Sequence, residues 1–224
     1  MMLKLLLMGN KNNVIIFDLD DTLYKEIDYL KSAYREIAAV IGHLNAYDFM
    51  LNSYFAGENA FEKVVEKYKL PLSIKQLLDI YRKHKPDLAL NDDTITTLNK
   101  LEDDGTKLCL LTDGRSITQR NKIESLGLRH WFDADNILIS EEFGKGKPSL
   151  ECYKYFMDRN QNSHFIAVGD NTSKDFITPN NIGWTTFCLI DDGSNIHKQD
   201  FNLDKEYLPK YKINNIKQII QYYV

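Results

Sequence analysis

Five short apolar segments recur along the chain, and each of them runs into a turn, a glycine or a polar cluster. Their apolar residues, many of them β-branched, are nearly continuous, which is typical of strands buried on both faces of a parallel sheet. We therefore predict strands at these positions. The segments are VIIF (14–17), KLCLLT (107–112), NILIS (136–140), FIAVG (165–169) and TTFCLI (185–190).

Segments with helical periodicity lie between these strands. SITQRNKIESLG (116–127) ends at Gly127, a suitable C-terminal cap, and PSLECYKYFMDR (148–159) begins with a proline at a first-turn position. Strands that alternate with helices predict a Rossmann-like, doubly wound parallel α/β sheet, in which active sites lie at the carboxyl ends of the strands. We expect the polar tail from about Asp191 to be loop-like and INNIKQIIQYY (213–223) to form a terminal helix.

The interval from Tyr24 to about Asn91 has helical periodicity and no convincing strand. Because a crossover between parallel strands needs only about a dozen residues, this interval predicts an inserted helical subdomain. We expect residues 24–90 to form a small all-helical cap domain over the strand ends, and residues 1–23 with 91–224 to form the core domain. The aromatic residues of the insert are interpreted as a small helical core. They are Tyr29, Tyr34, Tyr47, Phe49, Tyr54, Phe55 and Phe61.

Composition and charge narrow the classes of function. The chain has 224 residues, of which 43% are hydrophobic and 27% charged, an ordinary balance for a globular protein. Its formal net charge of −4 argues against sequence-independent nucleic-acid binding, because no strongly basic domain can neutralise phosphates. A small anionic substrate remains compatible with this charge, since a local cation can outweigh the global field.

The three cysteines, Cys109, Cys152 and Cys188, form no CxxC pair and are interpreted as buried thiols in a reducing compartment. The N-terminal segment MMLKLLLMGN has too short an apolar run for a signal peptide, and no stretch reaches the ~18 apolar residues that span a bilayer. We therefore expect a cytoplasmic protein with no membrane partner. No pattern in the sequence indicates an oligomeric state.

Three carboxylates, Asp18, Asp20 and Asp21, directly follow the first predicted strand. Carboxylates this close repel one another and lose hydration unless a cation or a proton resolves the conflict. If the strand geometry continues, Asp18 and Asp20 project to the same side and Asp21 points away. Mg²⁺ would resolve the conflict, because it takes hard oxygen ligands and keeps positions for water and phosphate. An acidic turn open to water is the alternative for this stretch taken alone.

Two further stretches supply groups that suit a phosphate. The second long strand ends in Thr112, Asp113 and Gly114, which offer a hydroxyl and backbone N–H groups near the start of a helix. The sequence GKGKP (144–148) places Lys145 and Lys147 before another helix, where an ammonium can act as a point charge for a phosphoryl group. Each stretch alone is equally compatible with an ordinary turn or a solvated loop.

A second acidic cluster follows the strand FIAVG. Asp170 comes directly after Gly169, and Asp175 lies five residues further on. Acids at another strand end would complete a site for a hard cation. Taken alone, this cluster is also compatible with a turn.

In this order, each at a predicted strand end, the four stretches resemble the motifs of the haloacid dehalogenase-like superfamily of hydrolases. DLDDT (18–22) is similar to its first motif, LLTDG (110–114) to its second, the lysine before Pro148 to its third and GDNTSKD (169–175) to its fourth. The resemblance extends from about residue 14 to residue 190. The helical insert matches the cap that many members carry between their first and second motifs.

The resemblance implies a Mg²⁺-dependent phosphatase. Asp18 would be the nucleophile that forms an aspartyl-phosphate, which suits a carboxylate because it is ionised at neutral pH without an activating base. Asp20 would be the general acid for the leaving alkoxide and then the base for water, a role that requires a raised pKa. The substrate would be a small phosphorylated metabolite such as a sugar phosphate or a nucleotide.

The resemblance also assigns the remaining candidate residues. Thr112 and Lys147 would hold the phosphoryl oxygens, with Asp113 and Gly114 beside them. The metal ligands would be Asp18, the backbone carbonyl of Asp20, and Asp170, while Asp175 would support the metal or Lys147 from behind. Lys147 is preferred to Lys145 because it directly precedes Pro148.

Asp113 departs from the family pattern, since many relatives have asparagine at this position. An acid that points toward a phosphate is unfavourable, so Asp113 would face the cap or a substrate hydroxyl. Arg115, Asn171 and Lys174 lie next to the motifs and are interpreted as facing solvent.

Several alternative functions stay open. A sugar phosphomutase of the same family would share Asp18 and Asp20, whereas a dehalogenase would need neither Asp20 nor Mg²⁺. A phosphonate-cleaving member would need a cap lysine, for which Lys25 and Lys31 are the nearby residues. A signalling receiver would carry its phosphorylated aspartate after a third strand and would lack the insert. A silent binding member would be expected to have lost Asp18 or Asp20.

Overall fold

The sheet of this protein confirms the predicted Rossmann-like α/β class. The structure, a computed structural model, describes residues 12–222. All strand pairs in the sheet are parallel, and the strands follow the order β3-β2-β1-β4-β5-β6. The strands are β1 (Asn13–Phe17), β2 (Lys107–Thr112), β3 (Ile137–Ile139), β4 (His164–Gly169), β5 (Thr185–Leu189) and β6 (Tyr211–Ile213).

Helices connect the strands as the alternating pattern predicts. Five of them lie between β1 and β2, and the others follow at the later crossovers. The helices are α1 (Glu26–Ile41), α2 (Ala46–Phe55), α3 (Ala60–Tyr68), α4 (Ile74–Lys83), α5 (Asp92–Asp103), α6 (Ser116–Ser125), α7 (Ser140–Phe143), α8 (Leu150–Arg159) and α9 (Ile177–Asn181).

The alternating residues of β1 pack into two apolar cores on the two faces of the sheet. Ile15 and Phe17 join the larger core, and Val14 and Ile16 join the smaller one. Burial on both faces explains why the strand is continuously apolar instead of alternating. The strand also brings its carboxyl end between those of β2 and β4, because it pairs with both.

The first four of the five helices between β1 and β2 share a third apolar cluster, to which each contributes a fully buried residue: Ile37, Met50, Val64 and Leu77. Tyr34 is buried in this cluster, whereas Tyr29 is buried in the larger core of the sheet. Phe55 is 66% exposed and does not contribute to a core, contrary to the interpretation from sequence. The division into a cap domain at 24–90 and a core domain remains a prediction.

Some predicted elements differ in detail. The proline of PSLECYKYFMDR precedes the helix, because Ser149 is the N-cap of α8. The terminal segment forms a 3₁₀ helix at Ile216–Tyr222 and not an α-helix. The edge strand β6 was not predicted, because three residues within a polar tail carry too little periodicity.

The remaining predictions concern burial and membranes. Cys109, Cys152 and Cys188 are buried and free, as interpreted from their apolar surroundings. Within residues 12–222, no helix has the length and apolar character needed to cross a membrane. The segment MMLKLLLMGN lies outside the described residues, and the cytoplasmic location stays a prediction.

Candidate active site

The first, second and fourth motifs meet at the carboxyl edge of the sheet. Asp18 follows β1, Thr112 ends β2, and Asp170 follows β4. The backbone N–H of Asp18 donates to the carbonyl of Val168 at 2.8 Å, so the ladder between β1 and β4 extends to the first candidate residue. The convergence follows from the topology, since neighbouring parallel strands end at the same edge of a sheet.

Asp18, Lys147 and Asp175 form a buried line of charges. The Lys147 Nζ lies 2.6 Å from Asp18 Oδ1 and 2.7 Å from Asp175 Oδ1, and only 3% of the lysine side chain is exposed. Burial acts to lower the pKa of Lys147, but Asp175 and Asp18 outweigh it and raise the pKa well above the usual value. The ammonium is therefore charged at neutral pH.

The nucleophile candidate keeps its charge at neutral pH despite its burial. Burial raises the pKa of Asp18 to about 6, with Lys147 acting to lower it and Asp175 to raise it. A carboxyl group with this pKa is mostly ionised at pH 7.

Both carboxylate oxygens of Asp175 have partners within the protein. Its Oδ2 accepts hydrogen bonds from the backbone N–H groups of Asp170 at 3.2 Å and Asn171 at 2.8 Å, while Oδ1 faces Lys147. Any side chain at position 169 would overlap this carboxylate, which is why the strand ends in glycine. The position supports the prediction that Asp175 acts from behind the site.

The donor set suits a divalent cation. Carboxylate oxygens of Asp18, Asp170 and Asp175 lie within 4.8 Å of one another. Burial, followed by the like charges of Asp18 and Asp175, raises the pKa of Asp170 to about 9. Buried carboxylates in such conflict are the hard oxygen ligands that a divalent cation requires. The residues present therefore fit the metal that the family resemblance implies.

We expect the metal-free protein to lose stability as the pH rises. Because the pKa of Asp170 is about 9 when folded and 3.8 as its ordinary value, the folded state binds more protons, and the stability gained below pH 4 is lost toward pH 9. In excess chelator at pH 8.5, Asp170→Asn should therefore be more stable than the wild type by about 2 kcal/mol, or roughly 4–8 °C in Tm. Thermal melts across pH 5–9, with chelator and with millimolar Mg²⁺, measure the effect.

The same melts supply the control. Added Mg²⁺ should raise the Tm of the wild type most at high pH, because the cation then replaces the missing protons, and should change the Tm of Asp170→Asn little. Equal responses of both proteins to Mg²⁺ would contradict the assignment of Asp170 as a ligand.

Asp20 lies among hydrogen-bond donors. Its Oδ1 receives the Tyr24 hydroxyl at 2.5 Å and the Lys122 ammonium at 2.7 Å, and its Oδ2 receives Gln119 Nε2 at 2.9 Å. Burial acts to raise the pKa of Asp20, but Lys122 and these hydrogen bonds outweigh it, and the pKa is lowered. The prediction that Asp20 has a raised pKa is therefore wrong for this arrangement, because the sequence did not reveal the lysine.

The second-motif residues have partners of their own. Asp113 Oδ1 accepts the backbone N–H of Lys147 at 3.0 Å, and its Oδ2 lies 3.1 Å from Lys174 Nζ. The Gly114 N–H donates to Ser140 Oγ at 2.9 Å, so in this structure it is not free for an oxyanion. The Thr112 hydroxyl is fully buried and accepts a hydrogen bond from Gln119 at 2.5 Å.

The structure separates the two candidate lysines of the third motif. Lys145 pairs with Glu151 on the surface, where 52% of the lysine side chain is exposed. Lys147 is directed inward to Asp18. The choice of Lys147 from its place before Pro148 agrees with this geometry.

A cavity of about 80 Å³ opens beside these residues. Four predicted site residues line it: Asp18, Asp20, Asp113 and Asp170. The other lining residues are Asp21, Glu26, Asn171, Lys174 and His197. Lys174 and Asn171, interpreted from sequence as facing solvent, thus border the site.

The tail beyond β5 closes one side of the site, which the sequence did not predict. Asn195 Nδ2 donates to Asp170 Oδ2 at 3.0 Å, and Gln199 Nε2 donates to the Asp170 carbonyl at 2.8 Å. The Ile196 N–H donates to Asp21 Oδ2 at 3.0 Å. These contacts join residues that are far apart in the chain, so no local sequence pattern predicts them.

Comparisons with known proteins agree with this geometry. Residues 15–189 match the family described as haloacid dehalogenase-like hydrolase. A glyceraldehyde 3-phosphate phosphatase of Methanocaldococcus jannaschii is 30% identical over 223 residues, which cover 92% of this chain and 94% of the relative. A ribulose-1,5-bisphosphate 5-phosphatase of Halopiger xanaduensis is 24% identical over 77% of this chain and 82% of its own.

Solved structures show the same fold. The magnesium-bound crystal structure of the HAD-hydrolase YfnB from Bacillus subtilis superposes with a TM-score of 0.70 at 18% identity, covering 96% of this chain and 99% of that one. The family match extends over most of the chain and includes the strand ends that carry the site. The chain therefore belongs to the haloacid dehalogenase-like hydrolases, in their phosphatase branch.

Proposed function

We propose that this protein is a Mg²⁺-dependent phosphatase that hydrolyses a small phosphomonoester through an aspartyl-phosphate on Asp18. The observation that carries the proposal is the carboxylate of Asp18, held against the buried Lys147 ammonium at 2.6 Å and within 4.8 Å of the Asp170 and Asp175 oxygens. A nucleophile, a fixed cation and a cation-binding acid cluster are the parts that phosphoryl transfer to a carboxylate requires.

The residues divide the reaction between them. Asp18 attacks phosphorus and the ester P–O bond breaks, while Lys147 offsets the repulsion between the carboxylate and an incoming phosphate. A Mg²⁺ held by Asp18, Asp170 and the Asp20 carbonyl would supply the remaining positive charge when bound. Asp20 gives its proton to the leaving alkoxide and then takes a proton from the water that hydrolyses the aspartyl-phosphate. A bound phosphate dianion adds like charge near Asp20, which favours the protonated form that this step needs.

The cavity supports a small, hydroxyl-bearing leaving group. Its volume of about 80 Å³ suits a few carbon atoms, and the carboxylates of Glu26 and Asp113 can accept hydrogen bonds from hydroxyls. The relatives named above act on a triose phosphate and on a sugar bisphosphate. We therefore infer a sugar phosphate, with the triose phosphates as the first substrates to test.

Release of inorganic phosphate tests the proposal. We expect the wild-type protein to release phosphate from p-nitrophenyl phosphate with Mg²⁺ and to lose this activity in excess chelator. A panel of triose, pentose and hexose phosphates, nucleotides and phosphorylated small acids should then rank the triose phosphates highest by kcat/KM. Absence of release from every ester, in a folded and Mg²⁺-loaded sample, would refute the phosphatase and favour a mutase or a silent binding role.

A further inference from the structure

Two residues of α6, Gln119 and Lys122, both reach the carboxylate of Asp20. They lie nearly one turn apart, on the same face of a helix that spans Ser116–Ser125. Gln119 Nε2 is 2.9 Å from Asp20 Oδ2, and Lys122 Nζ is 2.7 Å from Oδ1. A carboxylate on the loop after β1 is thus held by the helix after β2.

The contacts occupy the Asp20 oxygens unequally. Oδ1 receives two donors, the Tyr24 hydroxyl and the Lys122 ammonium, which match its two lone pairs. Oδ2 receives one donor, Gln119, and keeps one lone pair. Because Asp20 also lines the cavity, Oδ2 is the oxygen that can carry a proton for exchange with substrate or water.

Gln119 also orients the second-motif hydroxyl. Its Nε2 lies 2.5 Å from Thr112 Oγ1, so the two hydrogens of one amide group reach Thr112 and Asp20. Since Thr112 Oγ1 accepts this hydrogen bond, its own hydrogen remains available to donate to a phosphoryl oxygen. One side chain therefore links the candidate phosphate-binding hydroxyl to the candidate acid.

Neither residue borders the space where a substrate would bind. Gln119 is 1% and Lys122 2% exposed, and neither lines the cavity. The Lys122 ammonium is also 3.6 Å from Glu26 and 4.4 Å from the ring centre of Tyr29, which fix it from the side of α1. Any effect of these residues on a reaction must therefore pass through the groups they touch.

We propose that Gln119 and Lys122 are positioning residues that hold Asp20 so that its Oδ2 delivers the proton to the leaving group. The inference rests on the proposed phosphatase function. In the step concerned, Asp18 forms a bond to phosphorus, the P–O bond to the leaving group breaks, and the Oδ2 proton passes to that oxygen. The attacking water later returns a proton to Oδ2 as the aspartyl-phosphate is hydrolysed, so the cycle balances.

The leaving group distinguishes this role from a structural one. An alkyl phosphate needs a proton on its departing oxygen, whereas p-nitrophenolate departs without one. We therefore expect Lys122→Met to lower kcat/KM for an alkyl phosphate about 10²-fold, and that for p-nitrophenyl phosphate by less than about 3-fold. Retained activity on the aryl ester also shows that the variant is folded and that Asp18 is intact.

Three further single variants and one double variant extend the test. Gln119→Leu should show the same preferential loss on the alkyl ester, added to a smaller loss on both esters through Thr112. Asp20→Asn should show the full preferential loss, and adding Lys122→Met to it should lower the alkyl ester rate no further, because both changes act through one group. Arg120→Met is the matched control: Arg120 lies on the same helix as Lys122 but pairs with Glu142 of α7, so its loss should leave the ratio of the two esters unchanged.

The outcomes separate this inference from the function it rests on. Suppose that the wild type hydrolyses both esters, and that Lys122→Met and Gln119→Leu lose activity on both esters equally or on neither. The positioning role is then overturned, and the proposed phosphatase function is retained. A wild type that hydrolyses neither ester overturns the proposed function and the positioning role with it.

Discussion

Asp18→Asn is expected to lower phosphatase turnover by about 10⁴-fold or more while the protein stays folded. Asparagine keeps the shape of the side chain but has no anionic oxygen to attack phosphorus. The surrounding contacts should persist, because Lys147 keeps its ion pair with Asp175 at 2.7 Å and the backbone N–H of residue 18 keeps its hydrogen bond to the Val168 carbonyl. Phosphate release from the best ester of the panel measures the effect.

Two observations accompany the activity measurement. The thermal melt of Asp18→Asn should remain cooperative and lie near that of the wild type, which shows that the loss is chemical. Acid quenching of the wild type during turnover should trap a protein-bound phosphate that hydroxylamine cleaves, as expected of an acyl phosphate, and Asp18→Asn should trap none. Substantial residual activity or trapped phosphate in the variant would contradict the assignment of the nucleophile.

Lys147→Met is expected to cost about 3–5 kcal/mol of folding free energy and to abolish activity. The lysine is the cation paired with both Asp18 and Asp175, and all three side chains are largely buried. Removing it leaves two buried carboxylates without the cation that pairs with both of them. The loss should grow as the pH rises, because protonation of the carboxyls offsets it at low pH.

Lys145→Met is the matched control for this prediction. Lys145 lies two residues away and is also ion-paired, but its pair with Glu151 is exposed to water and worth at most about 1 kcal/mol. Chemical denaturation of the two variants at pH 6 and pH 8 gives the comparison. Equal stability of Lys147→Met and Lys145→Met would show that the buried charges do not depend on Lys147.

The strands and their ends could be predicted from sequence, because burial on both faces of the sheet requires a nearly continuous run of apolar residues. VIIF was predicted at 14–17, and β1 spans Asn13–Phe17; KLCLLT was predicted at 107–112, and β2 has these bounds. The site residues at strand ends followed from the same pattern, since parallel strands carry their carboxyl ends to one edge. The strand β6 has no such apolar run, because three residues at a sheet edge need little apolar character.

The groups around Asp20 could not be predicted in the same way. Gln119 and Lys122 lie about one hundred residues away in sequence, on a helix that resembles any other polar surface helix. Their spacing on one helix face is a weak signal, because such spacing is common. The lowered pKa of Asp20 therefore came as a correction: it depends on a lysine brought in by packing.

The α/β class and the acidic strand ends could be predicted from the sequence, because they depend on local apolar runs and on the residues that follow them directly. The four motifs at these strand ends carried the resemblance to the family. Only the folded chain reveals that Lys122 reaches Asp20, that Gln119 joins Thr112 to Asp20, and that Asn195 and Gln199 of the tail hold Asp170. The physical reason is that charge and hydrogen bonding act over a few ångströms in space. The fold brings residues that are far apart in the chain within such distances, so a local sequence pattern does not reveal their contacts.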